Sequence, residues 1–134
     1  MYIFIAICLT WVLTNYLFCY FSGWSYLQST FKAKKIKDVK PCHYFYLGNL
    51  SVNNIISYNV TNKGLHLQKG NELLNFFFLF TSSILIPWNE MEYIPHGEDS
   101  IFVRNYHLII KKNPKLKLAL GKDVEESFKS YYTK

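Results

Sequence analysis

The first 31 residues contain no Asp, Glu, Lys or Arg, although charged residues make up 18% of the chain. Residues 1–22 of this segment are strongly apolar, and a helix of that length measures ~33 Å at ~1.5 Å per residue. The hydrocarbon core of a bilayer is about 30 Å thick. The sequence therefore predicts a transmembrane helix over residues 1–22, with Trp24 and Tyr26 at the headgroup level just beyond it.

Three polar residues interrupt the apolar run, namely Thr10, Thr14 and Asn15. We expect the Thr hydroxyls to bond back to the helix, and Asn15 is either a tolerated polar residue or a contact to a neighbouring helix. A cleaved signal peptide is the alternative interpretation of this segment. It requires a basic start and a small-residue cleavage site, whereas the first basic residue is Lys32 and no such site follows the run. This comparison favours an uncleaved anchor.

The net charge of +6 is concentrated just after the apolar segment. Residues 32–40 hold five lysines and one Asp, whereas residues 41–134 hold ten basic and eight acidic residues. A basic flank on one side places the following domain at the cytoplasmic face of the cell (inner) membrane. The near balance of the remainder argues against a nucleic-acid partner. We predict a contact with anionic headgroups, or a role in setting topology alone, for Lys32, Lys34, Lys35, Lys37 and Lys40.

These features divide the chain into a transmembrane helix (1–22), a juxtamembrane basic linker (23–41) and a β domain (42–134). Short apolar runs separated by turn residues predict about seven or eight strands in a small antiparallel barrel or sandwich. The runs fall at residues 43–47, 55–60, 65–68, 73–80, 84–88, 101–103, 108–110 and 116–120.

Two stretches of this domain carry more specific signals. Thr61–Gly64 predicts a hairpin turn with a positive φ at Gly64. Leu73–Trp88 has only 16 residues with polar interruptions. It is therefore interpreted as a hairpin of two buried strands and not as a second membrane span.

The hydrophobic period changes at the end of the chain. Asp123, with Glu126 three residues later, is similar to a capping box. Val124, Phe128 and either Tyr131 or Tyr132 then recur at helical spacing. We expect residues 123–132 to form an amphipathic helix that closes the β domain, which is the element order of pleckstrin-homology-like (PH-like) and GRAM-like domains.

The chain resembles a group of small bacterial single-pass membrane proteins of unknown function with a PH-like cytoplasmic domain. Three short pieces carry the resemblance in order over residues 22–90: Ser22–Ser25 with Leu27, Gly64–Leu67, and Leu85–Trp88 with Glu90. Thr81, Ser82 and Ser83 stand where a more polar or basic turn is expected, and the last third has no assignable motif. The resemblance implies the PH-like fold and no activity.

No catalytic, metal-binding or cofactor-binding motif is found in the sequence. The histidines and cysteines lack the spacing of metal ligands. Only Cys42 and His43 are adjacent, and adjacent residues of a strand point to opposite faces, so this pair is a poor chelate. His96–Asp99 is interpreted as an exposed loop, Glu90 and Glu92 as a solvated strand face, and Trp88 as a core residue. The sites considered and set aside include Cys8, Cys19, His66 and His107.

Three functions are compatible with this pattern. The leading hypothesis is a membrane-tethered, non-catalytic binding domain that presents a surface to a protein partner. The alternative is an accessory subunit of a larger membrane assembly, which it contacts through the transmembrane helix. The third is a small enzyme whose polar residues come together only in the folded domain.

Overall fold

The computed structural model describes residues 1–21, 23–47, 50–51, 56–70, 82–99 and 105–132. Its helices are α1 (Tyr2–Phe21), α2 (Trp24–Phe31) and α3 (Lys122–Phe128). Its strands are β1 (Lys40–Pro41), β2 (Phe45–Leu47), β3 (Leu50–Ser51), β4 (Ile56–Val60), β5 (Gly64–Lys69), β6 (Ile84–Pro87), β7 (Met91–Glu98), β8 (Tyr106–Ile110) and β9 (Lys117–Leu120). Short 3-10 turns follow β6 at Trp88–Glu90 and α3 at Lys129–Tyr131.

Helix α1 forms where a helix is expected, but its predicted role as a transmembrane helix over 1–22 is wrong. Within the described ranges, no helix is both long enough and apolar enough to cross a membrane. Thr10, Thr14 and Asn15 lie in the middle of α1. The two hydroxyls do bond back to the helix as predicted, to the carbonyl oxygens of Ala6 and Thr10 at 2.8 Å each.

The strands form two antiparallel sheets, which confirms the small antiparallel β domain. The first sheet has the order β1-β4-β5-β6 and the second the order β3-β2-β9-β8-β7. Strands β1 and β2 are separated by only Cys42, His43 and Tyr44, so one short stretch of chain passes from the first sheet to the second. The two sheets enclose a shared apolar core that includes Phe45 and Leu67.

The predicted hairpin at residues 61–64 is confirmed, but the reason for its glycine differs from the prediction. Strands β4 and β5 pair in register from Val60 opposite Leu65 to Ile56 opposite Lys69. Positive φ occurs at two of the described glycines, and Gly64 is neither of them. A Cβ atom at Gly64 would instead lie 2.1 Å from the carbonyl oxygen of Ile86. This glycine is needed because β5 and β6 approach too closely there for any side chain.

The C-terminal helix closes the domain as expected. Val124 and Phe128 are 1% and 0% exposed, and both belong to the shared core. Helix α3 begins one residue earlier than predicted, its N-cap is Gly121, and no side chain caps it. The capping box is therefore wrong, because Asp123 lies inside the first turn, where its carboxylate meets the positive end of the helix dipole.

The sequence did not predict the two-residue strands β1 and β3, helix α2 or strand β7. Helix α2 lies within residues 23–41 and buries Trp24, Leu27 and Phe31. Strand β7 extends to Glu98, so the stretch His96–Asp99 is mostly strand and not a loop; a shift in its pairing with β8 between Tyr93 and Glu98 accommodates the irregular sequence. The predicted runs at 73–80 and 101–103 lie outside the described residues.

Candidate functional site

The lysine segment, residues 32–40, lies along the first sheet. It begins at β6, where Lys32 forms a bridge with Ile84 and the amide of Ala33 donates to the carbonyl of Ser83 at 2.9 Å. It ends in β1, where Lys40 lies opposite Tyr58 of β4. The segment therefore crosses from one edge of the sheet to the other.

Between these ends the segment is held by the side chain of Gln68, which is 2% exposed. Its Oε1 accepts from the amide of Ile36 at 3.0 Å, and its Nε2 donates to the carbonyl of Ile36 at 2.9 Å. His66, also buried, places Nε2 2.9 Å from the same Oε1. Buried polar groups are tolerated when they are hydrogen-bonded. Gln68 and His66 lie within hydrogen-bond distance of each other, and Gln68 also bonds to the backbone of the lysine segment. The side-chain amide thus substitutes for a strand partner.

All five lysines proposed as membrane contacts have exposed side chains. Among the residues that the structure describes, none of the five takes part in an ion pair. A sixth lysine, Lys69, is at the end of β5, where the charge of Lys35 affects it. Burial lowers the pKa of Lys69, and the charge of Lys35 lowers it further. The charge of Lys35 therefore acts on the end of β5.

Helix α1 presents the largest exposed apolar surface in the described part of the chain. The exposed fractions of its large side chains range from 40% at Leu17 to 96% at Met1. Large continuous apolar patches mark contacts with protein or lipid. The twelve exposed side chains are Met1, Tyr2, Ile3, Phe4, Ile5, Ile7, Leu9, Val12, Leu13, Tyr16, Leu17 and Tyr20.

The last turns of α1 are attached to the rest of the protein. Asn15 and Cys19 are 5% and 3% exposed. Gln28 of α2 links α1 to the residues before β6. Its Nε2 lies 3.6 Å from Cys19 Sγ of α1, and its Oε1 accepts from the amide of Ser82 at 2.8 Å. Asn15 donates to the carbonyl of Trp11 at 2.9 Å. The buried amide of Asn15 therefore has a partner within its own helix.

A second polar cluster lies on the other sheet and joins it to α3. Glu125 accepts a hydrogen bond from the phenol of Tyr93 at 2.8 Å, and its other carboxylate oxygen is 3.3 Å from His107 Nε2. Burial, and then the bond to Glu125, raise the pKa of Tyr93 to about 12. The cluster borders an open pocket of about 500 Å³ that is also lined by Pro95 and Lys122.

This arrangement holds α3 against the second sheet. His107 Nδ1 lies 3.4 Å from the carbonyl oxygen of Ile94, and Nε2 faces Glu125, so both ring nitrogens are engaged by the protein. The described pocket lining contains no Ser or Cys nucleophile.

The polar residues considered from the sequence are distributed over separate places. His66 and His107 lie in different sheets, and the side chain of His96 is outside the description. Glu90 pairs with Lys112 at 3.5 Å. Glu92 is exposed, as expected of a solvated strand face.

The remaining sites considered from the sequence are structural. Trp88 is 8% exposed and stacks at 5.8 Å on Phe128, which confirms its place in the core. Glu98 accepts from the phenol of Tyr106 at 2.9 Å, and Asp99 accepts from the amide of Asn105 at 2.7 Å. These carboxylates therefore order the chain around β7 and β8.

Cys42 is an unreactive core thiol. It is 1% exposed, and burial, with a smaller contribution from Asp123, raises its pKa to about 12. The thiolate is the reactive form of cysteine, so labelling reagents have little access to this residue in the folded protein.

Sequence reasoning did not identify Gln68, Glu125 or Tyr93. A local signal exists only for Gln68, because His66 and Gln68 alternate with Leu65 and Leu67 on a strand that is buried from Gly64 to Gln68. Two polar residues on one face of a fully buried strand indicate a covered polar contact. Glu125 has no such signal, since exposed carboxylates are common in the first turn of a helix.

Within the described ranges, no three His, Cys, Asp or Glu side chains are grouped closely enough to hold a metal ion. Comparison of the chain with protein-family models, with curated proteins and with solved structures finds no match.

Proposed function

We propose that this protein is a non-catalytic, membrane-associated binding module. Helix α1 associates with lipid, the lysine segment contacts anionic headgroups, and the β domain is held at the cytoplasmic face of the cell membrane, where it presents its surface to a protein partner. The observation that carries the proposal is the adjacency of two surfaces: an exposed apolar helix without charge and, eleven residues beyond its end, the first of five exposed lysines.

The physical argument begins with the apolar surface. Each Å² of apolar area removed from water contributes roughly 25 cal/mol, so the exposed side chains of α1 favour transfer to an apolar phase. A protein groove and a lipid layer both provide one. The lysines favour lipid, because each basic residue near an anionic leaflet adds roughly 1 kcal/mol. The segment between α1 and the lysines contains no acidic residue that would oppose this attraction.

The resemblance to PH-like domains is part of this proposal. Two features support it: the first strand segments, β1 and β2, belong to different sheets, and α3 packs its Val124 and Phe128 into the core between them. In this arrangement a small domain keeps its core closed while its loops and edges remain available for binding. The proposed partner of those loops and edges is a protein.

The test is flotation of the full-length chain with vesicles of phosphatidylcholine alone and of phosphatidylcholine mixed with phosphatidylglycerol. We expect binding to both, with tighter binding to the anionic vesicles at low salt. Phe4→Lys with Ile7→Lys places two charges at positions that are 70% and 61% exposed. The double variant should lose binding to phosphatidylcholine, because burying lysine in lipid costs several kcal/mol.

The matched control adds the same charge to the β domain, through Asn62→Lys with Asn89→Lys at two exposed positions. It should bind both kinds of vesicle at least as well as the unaltered chain. No flotation of the unaltered chain would overturn the proposal. If light scattering then showed an oligomer that Phe4→Lys with Ile7→Lys dissolves, α1 would be assigned to a protein contact, as in the accessory-subunit hypothesis.

A further inference from the structure

We propose that an aromatic cavity lined by residues of β7 and of both 3-10 turns binds the phosphocholine group, a quaternary ammonium joined to a phosphate. The cavity has a volume of about 420 Å³. Its described lining includes no residue of α1 or of the lysine segment, so the inference goes beyond the proposed membrane association and does not depend on it. The side chains that carry the argument are Trp88, Tyr93, Tyr131, Tyr132, Glu92 and Lys111.

The four aromatic rings of the lining stand in two directions. The rings of Trp88 and Tyr131 stack at 4.9 Å, with 13° between their planes. Tyr132 is almost perpendicular to Trp88, at 5.9 Å and 84°, and Tyr93 lies 5.2 Å from Tyr132. A quaternary ammonium is attracted to the faces of such rings within about 6 Å of a ring centre. Rings in two directions can contact several of its methyl groups at once.

Hydrogen bonds within the protein hold three of these rings in place. The indole of Trp88 donates to the carbonyl of Thr61 at 2.8 Å, and the phenol of Tyr132 donates to the carbonyl of Trp88 at 3.0 Å. The phenol of Tyr93 donates to Glu125 at 2.8 Å. Side chains that are already ordered lose little conformational entropy when a ligand binds. The cavity is therefore formed before the ligand arrives.

The charged side chains of the lining indicate that the ligand carries both signs. Glu92 and Lys111 are both exposed, and within the described ranges neither takes part in an ion pair. The carboxylate attracts an ammonium and the lysine attracts a phosphate, whereas a ligand with only a positive charge is repelled by the lysine. Phosphocholine combines both charges with the methyl groups that aromatic rings bind.

The test is isothermal titration calorimetry of the full-length chain, in mild non-ionic detergent, with phosphocholine. We expect saturable binding. The carbon analogue of phosphocholine, in which a neutral carbon replaces the nitrogen, should bind at least about tenfold more weakly, because it has the same shape without the positive charge. Equal binding of the two would overturn the ammonium site. Absence of saturable phosphocholine binding would overturn the whole proposal.

The location of the site is tested at Tyr131, which is the most exposed of the four rings at 37%. Tyr131→Leu should weaken phosphocholine binding about fivefold, whereas Tyr131→Phe keeps the ring and should bind as the unaltered chain does. The matched control is Tyr2→Leu at an exposed position of α1. Far-ultraviolet circular dichroism checks that each variant is folded. Equal affinities of folded Tyr131→Leu and Tyr2→Leu variants would exclude this cavity as the site.

The two charges are tested separately with choline, which lacks the phosphate. Lys111→Gln should weaken phosphocholine binding about fivefold and leave choline binding no weaker, whereas Glu92→Gln should weaken both about fivefold. Lys115→Gln, at an exposed position outside the described lining, is the control for net charge. If Lys111→Gln changed the binding of both ligands alike, the phosphate contact would be overturned.

The phosphocholine group occurs in free molecules and as a lipid headgroup, and a short-chain, water-soluble phosphatidylcholine distinguishes the two sources. Tighter binding of this diester than of phosphocholine would identify the headgroup as the ligand. Weaker binding would identify a free molecule with a terminal phosphate. Either result supports the site, and binding of neither compound overturns it.

Discussion

The helices α1 and α3 flank the same β domain and use apolar side chains in opposite ways. Helix α1 has 20 residues and exposes large apolar side chains along its length. Helix α3 has 7 residues and places Val124 and Phe128 in the core. A 7-residue helix is too short to be stable alone in water. Its existence depends on packing, whereas the apolar surface of α1 contributes little to the fold and is available for binding.

The difference shows that apolar content alone does not indicate where a helix is buried. Helix α3 is mostly polar, yet its two apolar residues meet complementary partners. Phe128 contacts the rings of Trp88 and Tyr93 at 5.8 and 5.5 Å, and Tyr132 donates to the carbonyl of Trp88 at 3.0 Å. Helix α1 is much more apolar and finds such partners only near its end. Four predictions test this comparison, and unfolding is measured throughout in mild non-ionic detergent to keep α1 dispersed.

The largest effect is expected when the buried ring of α3 is removed. Phe128→Ala should lower the free energy of unfolding by about 3–5 kcal/mol, because the ring is fully buried and leaves a cavity. Phe4→Ala is the matched change in α1, where the ring is 70% exposed, and it should change stability by less than about 0.5 kcal/mol. Chemical denaturation measures both. Similar losses would show that α1 is as much a part of the fold as α3.

A smaller effect is expected from the polar tie between α3 and the second sheet. Glu125→Ala should cost about 1–3 kcal/mol, since it leaves the phenol of Tyr93 without its acceptor. Glu126→Ala is the control. Its ion pair with Lys129 at 2.7 Å is largely exposed, and such pairs contribute about 0–1 kcal/mol. If the two variants denature alike, α3 is held by apolar packing alone.

The same tie predicts a pH dependence. The pKa of Tyr93 is raised to about 12 in the fold, against about 10 for an unperturbed tyrosine. The fold therefore favours the neutral phenol, and the stability that Tyr93 contributes is complete below pH ~10 and is lost as the pH rises through ~12. Tyr93→Phe should unfold with a smaller loss of stability between those pH values. An unaltered slope would mean that Tyr93 titrates identically in the folded and unfolded chain.

The smallest effect is expected within α1. The hydroxyl of Thr10 bonds to the carbonyl of Ala6 in its own helix, at an exposed position. Thr10→Val removes that bond without changing the shape of the side chain, so stability and vesicle binding should both stay within about 0.5 kcal/mol of the unaltered protein. A larger loss of stability or of vesicle binding would show that the Thr10 hydroxyl has a role beyond the bond within its own helix.

Local chemistry was enough to predict several parts of this fold. The turn at Thr61–Gly64 follows from the polar residues between two apolar runs, and the burial of Val124 and Phe128 follows from their helical spacing. The exposure of the five lysines follows from the cost of burying charge. Each of these inferences depends on residues that are near one another in sequence.

Other parts depended on contacts between distant residues. Gly64 is required by the carbonyl of Ile86, 22 positions away, and not by its own φ. Glu125 meets Tyr93 and His107 only because α3 folds back across the second sheet. The transmembrane prediction for α1 was based on its uncharged, apolar sequence, and it is wrong, because no helix in the described part of the chain is long and apolar enough to cross a membrane.

By itself, the sequence determined the order of elements: an uncharged apolar helix, a basic segment, a set of short strands and a closing helix. Hydrophobic period and charge are properties of neighbouring residues, so they can be read without a fold. Only the tertiary structure decided that Gln68 holds the lysine segment on the first sheet through Ile36. The partner of a buried polar side chain depends on which elements pack against each other in the folded core, and no local sequence pattern specifies that packing.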